Sequence, residues 1–110
     1  MDKHLLEDAL ERTRHRSPKV RRTGLLDLCP CKVKANHPDV WDRVIEMRTD
    51  PDPGVRSLVL HALCDGSPAS RNREITAAVE TMQQDPDPRL RRRARNAMAA
   101  YRRTGDINQM

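Results

Sequence analysis

Four side chains in this sequence can between them hold a soft metal ion: Cys29 and Cys31, separated only by Pro30, and His61 and Cys64, one helical turn apart. Three thiolates and one imidazole are a ligand set that tetrahedral zinc accepts. The same residues admit two other readings. A free thiol is a good small apolar filler, and two thiols brought face to face form a reversible redox pair. The C-x-C and H-x-x-C spacings are not those of the commonest zinc fingers, so all three readings stay open. His37, next to Pro38, is an alternative ligand, whereas His4 and His15 read as surface residues.

A second concentration of chemistry lies in PRLRRRARNAMAAYRR, residues 88–103. At about 100° per residue, Leu90, Ala94, Ala97, Met98 and Tyr101 share one sector of a helix, and the arginines spread over the rest. Guanidinium is a planar fork suited to carboxylate or phosphate, and the formal charge of +5 favours an acidic partner. Arg56, Arg91, Arg95 and Arg102 are the residues expected to meet an acidic protein surface. Nonspecific nucleic-acid binding by the same ridge is the alternative, although no aromatic residue interleaves the arginines as a base-stacking platform requires. A plain solvated face is the structural explanation of the same pattern.

No catalytic set accompanies these residues. Asp50 with Asp52, and Asp85 with Asp87, are paired carboxylates, but each pair precedes a helix that carries Arg56 or Arg91 and the arrangement recurs, so they read as caps and as inter-unit hydrogen-bonding groups. There is no HExxH, G-x-S-x-G, dinucleotide fingerprint or phosphate loop, and DGSP at residues 65–68 reads as a turn. An enzyme is not expected. The first residues, MDKHLLEDALERTRHR, lack an apolar run of signal-peptide length, and no stretch is long enough to span a membrane. The expectation is a cytoplasmic protein without a membrane partner, and with zinc as its one possible cofactor.

The elements that must position these groups follow from a repeat. DPDPGVRSLVLHALC at residues 50–64 returns as DPDPRLRRRARNAMA at residues 85–99, and more weakly as HRSPKVRRTGLLDLC at residues 15–29. In this register Pro18, Pro53 and Pro88 coincide, as do Val20, Val55 and Leu90, then Arg21, Arg56 and Arg91, and finally Leu28, Leu63 and Met98. Ile75, Val79 and Met82 likewise follow Val40, Val44 and Met47 by the same interval, so the period covers a helix on each side of the turn. A period of this size marks two-helix units that stack to share a core. With only Trp41 and Tyr101 as aromatics, that core must be aliphatic, and Trp41 reads as packing beside Val40, Val44 and Ile45.

Three units are expected, at about residues 2–29, 38–65 and 71–104, forming a single domain, with DINQM after Gly105 as a frayed tail. Ser17, Asp52 and Asp87 are the expected N-caps, each followed by a Pro in the first helical turn. Cys29 and Cys64 fall at equivalent positions of neighbouring helices, where Ala99 stands in the third unit. With three units both ends expose apolar edges, so self-association is possible.

The DPDPxVRxxxxxAL pattern after an amphipathic helix resembles HEAT repeats, in particular the short bacterial type with Asp-Pro turns, over roughly residues 2–104. The first copy has His15, Arg16 and Ser17 where the others have Asp, Pro and Asp, as a terminal capping unit would. The resemblance implies an all-α fold, a right-handed α-α superhelix of three helical hairpins, used as a macromolecule-binding scaffold.

Overall fold

The computed structural model describes residues 3–29 and 37–110. Among them are six α-helices and no strand: α1 (Lys3–Arg12), α2 (Pro18–Asp27), α3 (Pro38–Glu46), α4 (Pro53–Leu63), α5 (Asn72–Met82) and α6 (Pro88–Thr104). Single 3-10 turns at Met47–Thr49 and Ala69–Arg71 adjoin α3 and α5. The helices pair as hairpins α1–α2, α3–α4 and α5–α6. The second helices lie side by side with α4 in the middle, touching both α2 and α6. This is the helical solenoid that the repeat predicts.

The helix starts follow from local chemistry. Pro stands in the first turn of α2, α3, α4 and α6, where its missing N–H has no intrahelical partner to lose. Asp52 caps α4 by accepting from the Val55 N–H, and Asp87 caps α6 by accepting from the N–H groups of Arg89 and Leu90. Ser17 does not make the expected side-chain cap. The turn is held one step earlier instead: Nδ1 of His15 accepts from the Ser17 N–H at 2.9 Å. Asp50 and Asp85 do the same for the N–H groups of Asp52 and Asp87, each at 2.9 Å. His15 therefore replaces the first Asp of the turn as a local acceptor.

The repeat register is visible in the packing. Val55 and Leu90 are buried, as are Leu28, Leu63 and Met98. Val20, the counterpart of Val55 and Leu90 in α2, is only half-buried. Trp41 is buried with Val40 and Val44 and serves the core. Gly24 sets how closely α1 and α2 approach: a Cβ there would lie 2.7 Å from the Ala9 carbonyl oxygen and 2.9 Å from the Thr13 side chain.

The C-terminal residues depart from expectation. Gly105 ends α6 in the left-handed region at φ 74° and turns the chain back over the helical array. Ile107 enters the core, 1% exposed. Oδ1 of Asn108 accepts from the N–H and hydroxyl of Ser67 at 2.9 and 3.0 Å, and its Nδ2 donates to the Ser67 carbonyl at 3.1 Å. The Met110 N–H then donates to the Cys64 carbonyl at 3.1 Å. DINQM is a docked strap, not a frayed end. One apolar side chain and one amide that can satisfy a turn at both its donors and its acceptor are enough to hold it.

Candidate functional site

The arginines of the second helices divide into two groups. Arg21 in α2 reaches Asp50, Nε to Oδ2 at 2.9 Å and Nη2 to Oδ1 at 3.0 Å, while its Nη1 donates to the carbonyls of His15 and Arg16. Arg56 in α4 repeats this on Asp85 at 2.8 and 3.1 Å, with Nη1 on the carbonyls of Asp50 and Pro51. Each guanidinium thus closes its own turn and grips the first Asp of the next. Both pairs are shielded, with the Arg56 and Asp85 side chains 12% and 5% exposed. Arg56, expected at a partner surface, is engaged inside the fold and is not available there.

Arg91 occupies the same place in α6, and its Nη1 donates to the Asp85 carbonyl at 2.8 Å. Among the described residues no carboxylate closes the other half of its fork. Arg95 and Arg102 are exposed on the same edge: at about 100° per residue the three lie within a sector of about 40°. Arg93, whose Nη1 donates to the Ser57 hydroxyl of α4 at 2.7 Å, projects from the opposite side of the helix. The Arg91, Arg95 and Arg102 edge therefore faces away from α4, at the end of the row. The seven arginines of α6 have no acidic residue within their helix and form no ion pair among the described residues. The two aromatic side chains offer no stacking platform beside them: Trp41 is buried, and half-buried Tyr101 accepts from Nδ2 of Asn72 at 3.2 Å.

The expected metal ligands part company. Cys64 is fully buried, and burial pushes its thiol up to about 11, with Arg93 drawing it partly back. A thiol that stays protonated inside the core is a filler, and the docked tail closes on the same residue, its Met110 N–H donating to the Cys64 carbonyl. Cys29 and His61 do come together, and Asp65 joins them where Cys64 was expected. The Cys29 thiol donates to Oδ2 of Asp65 at 3.8 Å, Nε2 of His61 lies 3.3 Å from the same oxygen, and one donor atom from each residue falls within 4.8 Å of the others. All three residues are half-buried. Cys31 lies outside the described residues, and His37 sits at the start of α3 apart from this group.

Asp65 is the residue that sequence reasoning passed over, as part of the turn that stops α4. Its spacing of four from His61 was the available signal, since such pairs meet on one helical face. No helix among the described residues is long and apolar enough to cross a membrane. No curated protein and no solved structure matches the chain significantly. A family model for HEAT repeats matches residues 5–99, taking in all three Asp-Pro or Ser-Pro turns and most of all six helices, and the chain belongs to that family.

Proposed function

We propose that this chain is a protein-binding module whose partner presents carboxylates to the outer edge of α6. HEAT repeats generally serve as protein-interaction scaffolds, and the open Arg91 fork carries the finer reading. Its counterparts Arg21 and Arg56 each hold a carboxylate from the neighbouring unit, so the geometry around Arg91 is already that of a carboxylate receptor. Arg95 and Arg102 extend the same edge and supply the charge that draws an acidic segment in. A second copy stacked head to tail is a poor occupant. At the register of Asp50 and Asp85 it would bring His15, which accepts at its own turn but has no carboxylate to offer.

The test is selection of displayed peptides by the full chain at physiological salt, followed by measured affinities for the wild type and for an Arg91→Glu, Arg95→Glu, Arg102→Glu triple variant with unchanged circular dichroism. Enrichment of Asp- and Glu-bearing segments whose binding the triple variant loses supports the reading. Peptides indifferent to the three changes overturn it. So does the absence of any enriched peptide alongside salt-sensitive binding of duplex DNA, which would assign the ridge to phosphates instead.

A further inference from the structure

We infer that Cys29, His61 and Asp65 form a binding site for a zinc ion that clamps the end of α2 to the end of α4. The inference stands on this cluster alone and does not rest on the partner-binding reading.

The donor types come first. A thiolate and an imidazole on one ion select a borderline-soft metal, and zinc also accepts a carboxylate oxygen as a third ligand. Magnesium and calcium take oxygen donors and have no use for sulfur. The spacing agrees with that choice. With Zn–O and Zn–N bonds of about 2.0 Å and a Zn–S bond of about 2.3 Å, a tetrahedron has an N···O edge of about 3.3 Å and an S···O edge of about 3.5 Å. Nε2 of His61 is 3.3 Å from Oδ2 of Asp65, and Sγ of Cys29 is 3.8 Å from it. Two of the three edges are therefore met to within about 0.3 Å, and the third lies inside the 4.8 Å envelope.

The backbone fixes two of the ligands. His61 and Asp65 stand one turn apart where α4 ends, so their side chains lie on one face, and the N–H of Asp65 still bonds to the Ala62 carbonyl. Cys29 arrives from the neighbouring second helix at the equivalent repeat position, its N–H bonded to the Leu26 carbonyl. Half-burial of all three leaves a route for the ion and for the proton it displaces. Binding forms Zn–S, Zn–N and Zn–O bonds and breaks the S–H bond of Cys29, whose proton leaves to solvent. His61 coordinates as the neutral ring through Nε2 and keeps its proton on Nδ1. Water completes the fourth corner.

Titration of the full-length, tag-free chain with cobalt(II) as the spectroscopic probe, and then with zinc, decides the matter. The expected result is one equivalent of cobalt with a thiolate charge-transfer band and tetrahedral visible bands, displaced by zinc, with a raised Tm. Cys29→Ser abolishes the charge-transfer band. His61→Ala and Asp65→Asn each weaken zinc binding by about tenfold or more. Cys64→Ser leaves band and affinity unchanged, and far-UV circular dichroism verifies that each variant is folded. Cobalt and zinc failing to bind stoichiometrically, or a charge-transfer band that survives Cys29→Ser but is lost in Cys64→Ser, overturns the assignment. Should one of the ligand variants not fold, the remaining two still decide it.

Discussion

Arg56 and Asp85 are joined by two parallel hydrogen bonds of 2.8 and 3.1 Å across the boundary between the second and third hairpins. Because both groups are shielded, removing one leaves the other charged and unpaired in a poorly solvated place. Arg56→Ala is therefore expected to destabilise the fold by about 3 kcal/mol. Arg91→Ala, which loses a contact to a carbonyl and no ion pair, costs about 1 kcal/mol. Urea unfolding monitored by helicity compares the two directly. Equal losses would show that the shared turn contact, and not the inter-unit pair, stabilises the stack.

Gly24→Ala separates helix propensity from packing. Alanine in mid-helix is worth about 1 kcal/mol over glycine where space allows. Here the added methyl would stand 2.7 Å from the Ala9 carbonyl oxygen, a backbone atom that moves only if α1 moves. The expected outcome is net destabilisation of about 1–3 kcal/mol, read as a lower Tm. An unchanged or raised Tm would mean that α1 is loosely held against α2.

The repeated turns made the fold legible. Asp-Pro pairs, a fixed arginine after each and a shared apolar register specify where helices begin and which faces they bury, because these are local and periodic properties. The Asp50 and Asp85 contacts are periodic and belong with the legible part: the pattern predicts that they cap and hydrogen-bond between units, and each holds the guanidinium of the preceding unit, 29 positions earlier. What escaped was non-periodic. In the sequence Cys64 stays open between ligand and filler because its helical position falls outside the apolar sector of α4, and the structure buries it beside the strap from Asp106 to Met110, whose last N–H bonds to its carbonyl. Nothing periodic encodes that strap. Of the four residues that read as ligands, the structure brings Cys29 and His61 together, while Asp65, their third neighbour, was hidden behind its role in ending a helix.

The Cys64 thiol gives the chain a pH-dependent stability. Burial raises it from its ordinary value of 9.0 to about 11, so the folded state keeps a proton that the unfolded chain has already lost. That contribution is fully present below pH 9.0 and is lost as pH rises towards about 11. Urea midpoints followed from about pH 8 to about pH 11 are expected to fall more steeply for the wild type than for Cys64→Ala. Parallel profiles would show that solvent already reaches the sulfur in the folded chain.

That protection is expected to depend on the strap, which bonds to the Cys64 carbonyl, and the dependence can be measured. Ile107 is 1% exposed and Asn108 satisfies Ser67 with three hydrogen bonds, so the last residues contribute to the core although they follow the last helix. Ile107→Ala leaves a cavity and is expected to cost about 2–4 kcal/mol. Asn108→Ala leaves the Ser67 N–H and carbonyl to find water and should cost about 1–3 kcal/mol. Both changes loosen the segment whose Met110 N–H closes on the Cys64 carbonyl. A thiol reagent should therefore modify Cys64 faster in either variant than in the wild type, under conditions where helicity is intact. If the segment merely rested on the surface, both variants would unfold within about 0.5 kcal/mol of the wild type and the rate of Cys64 modification would not change.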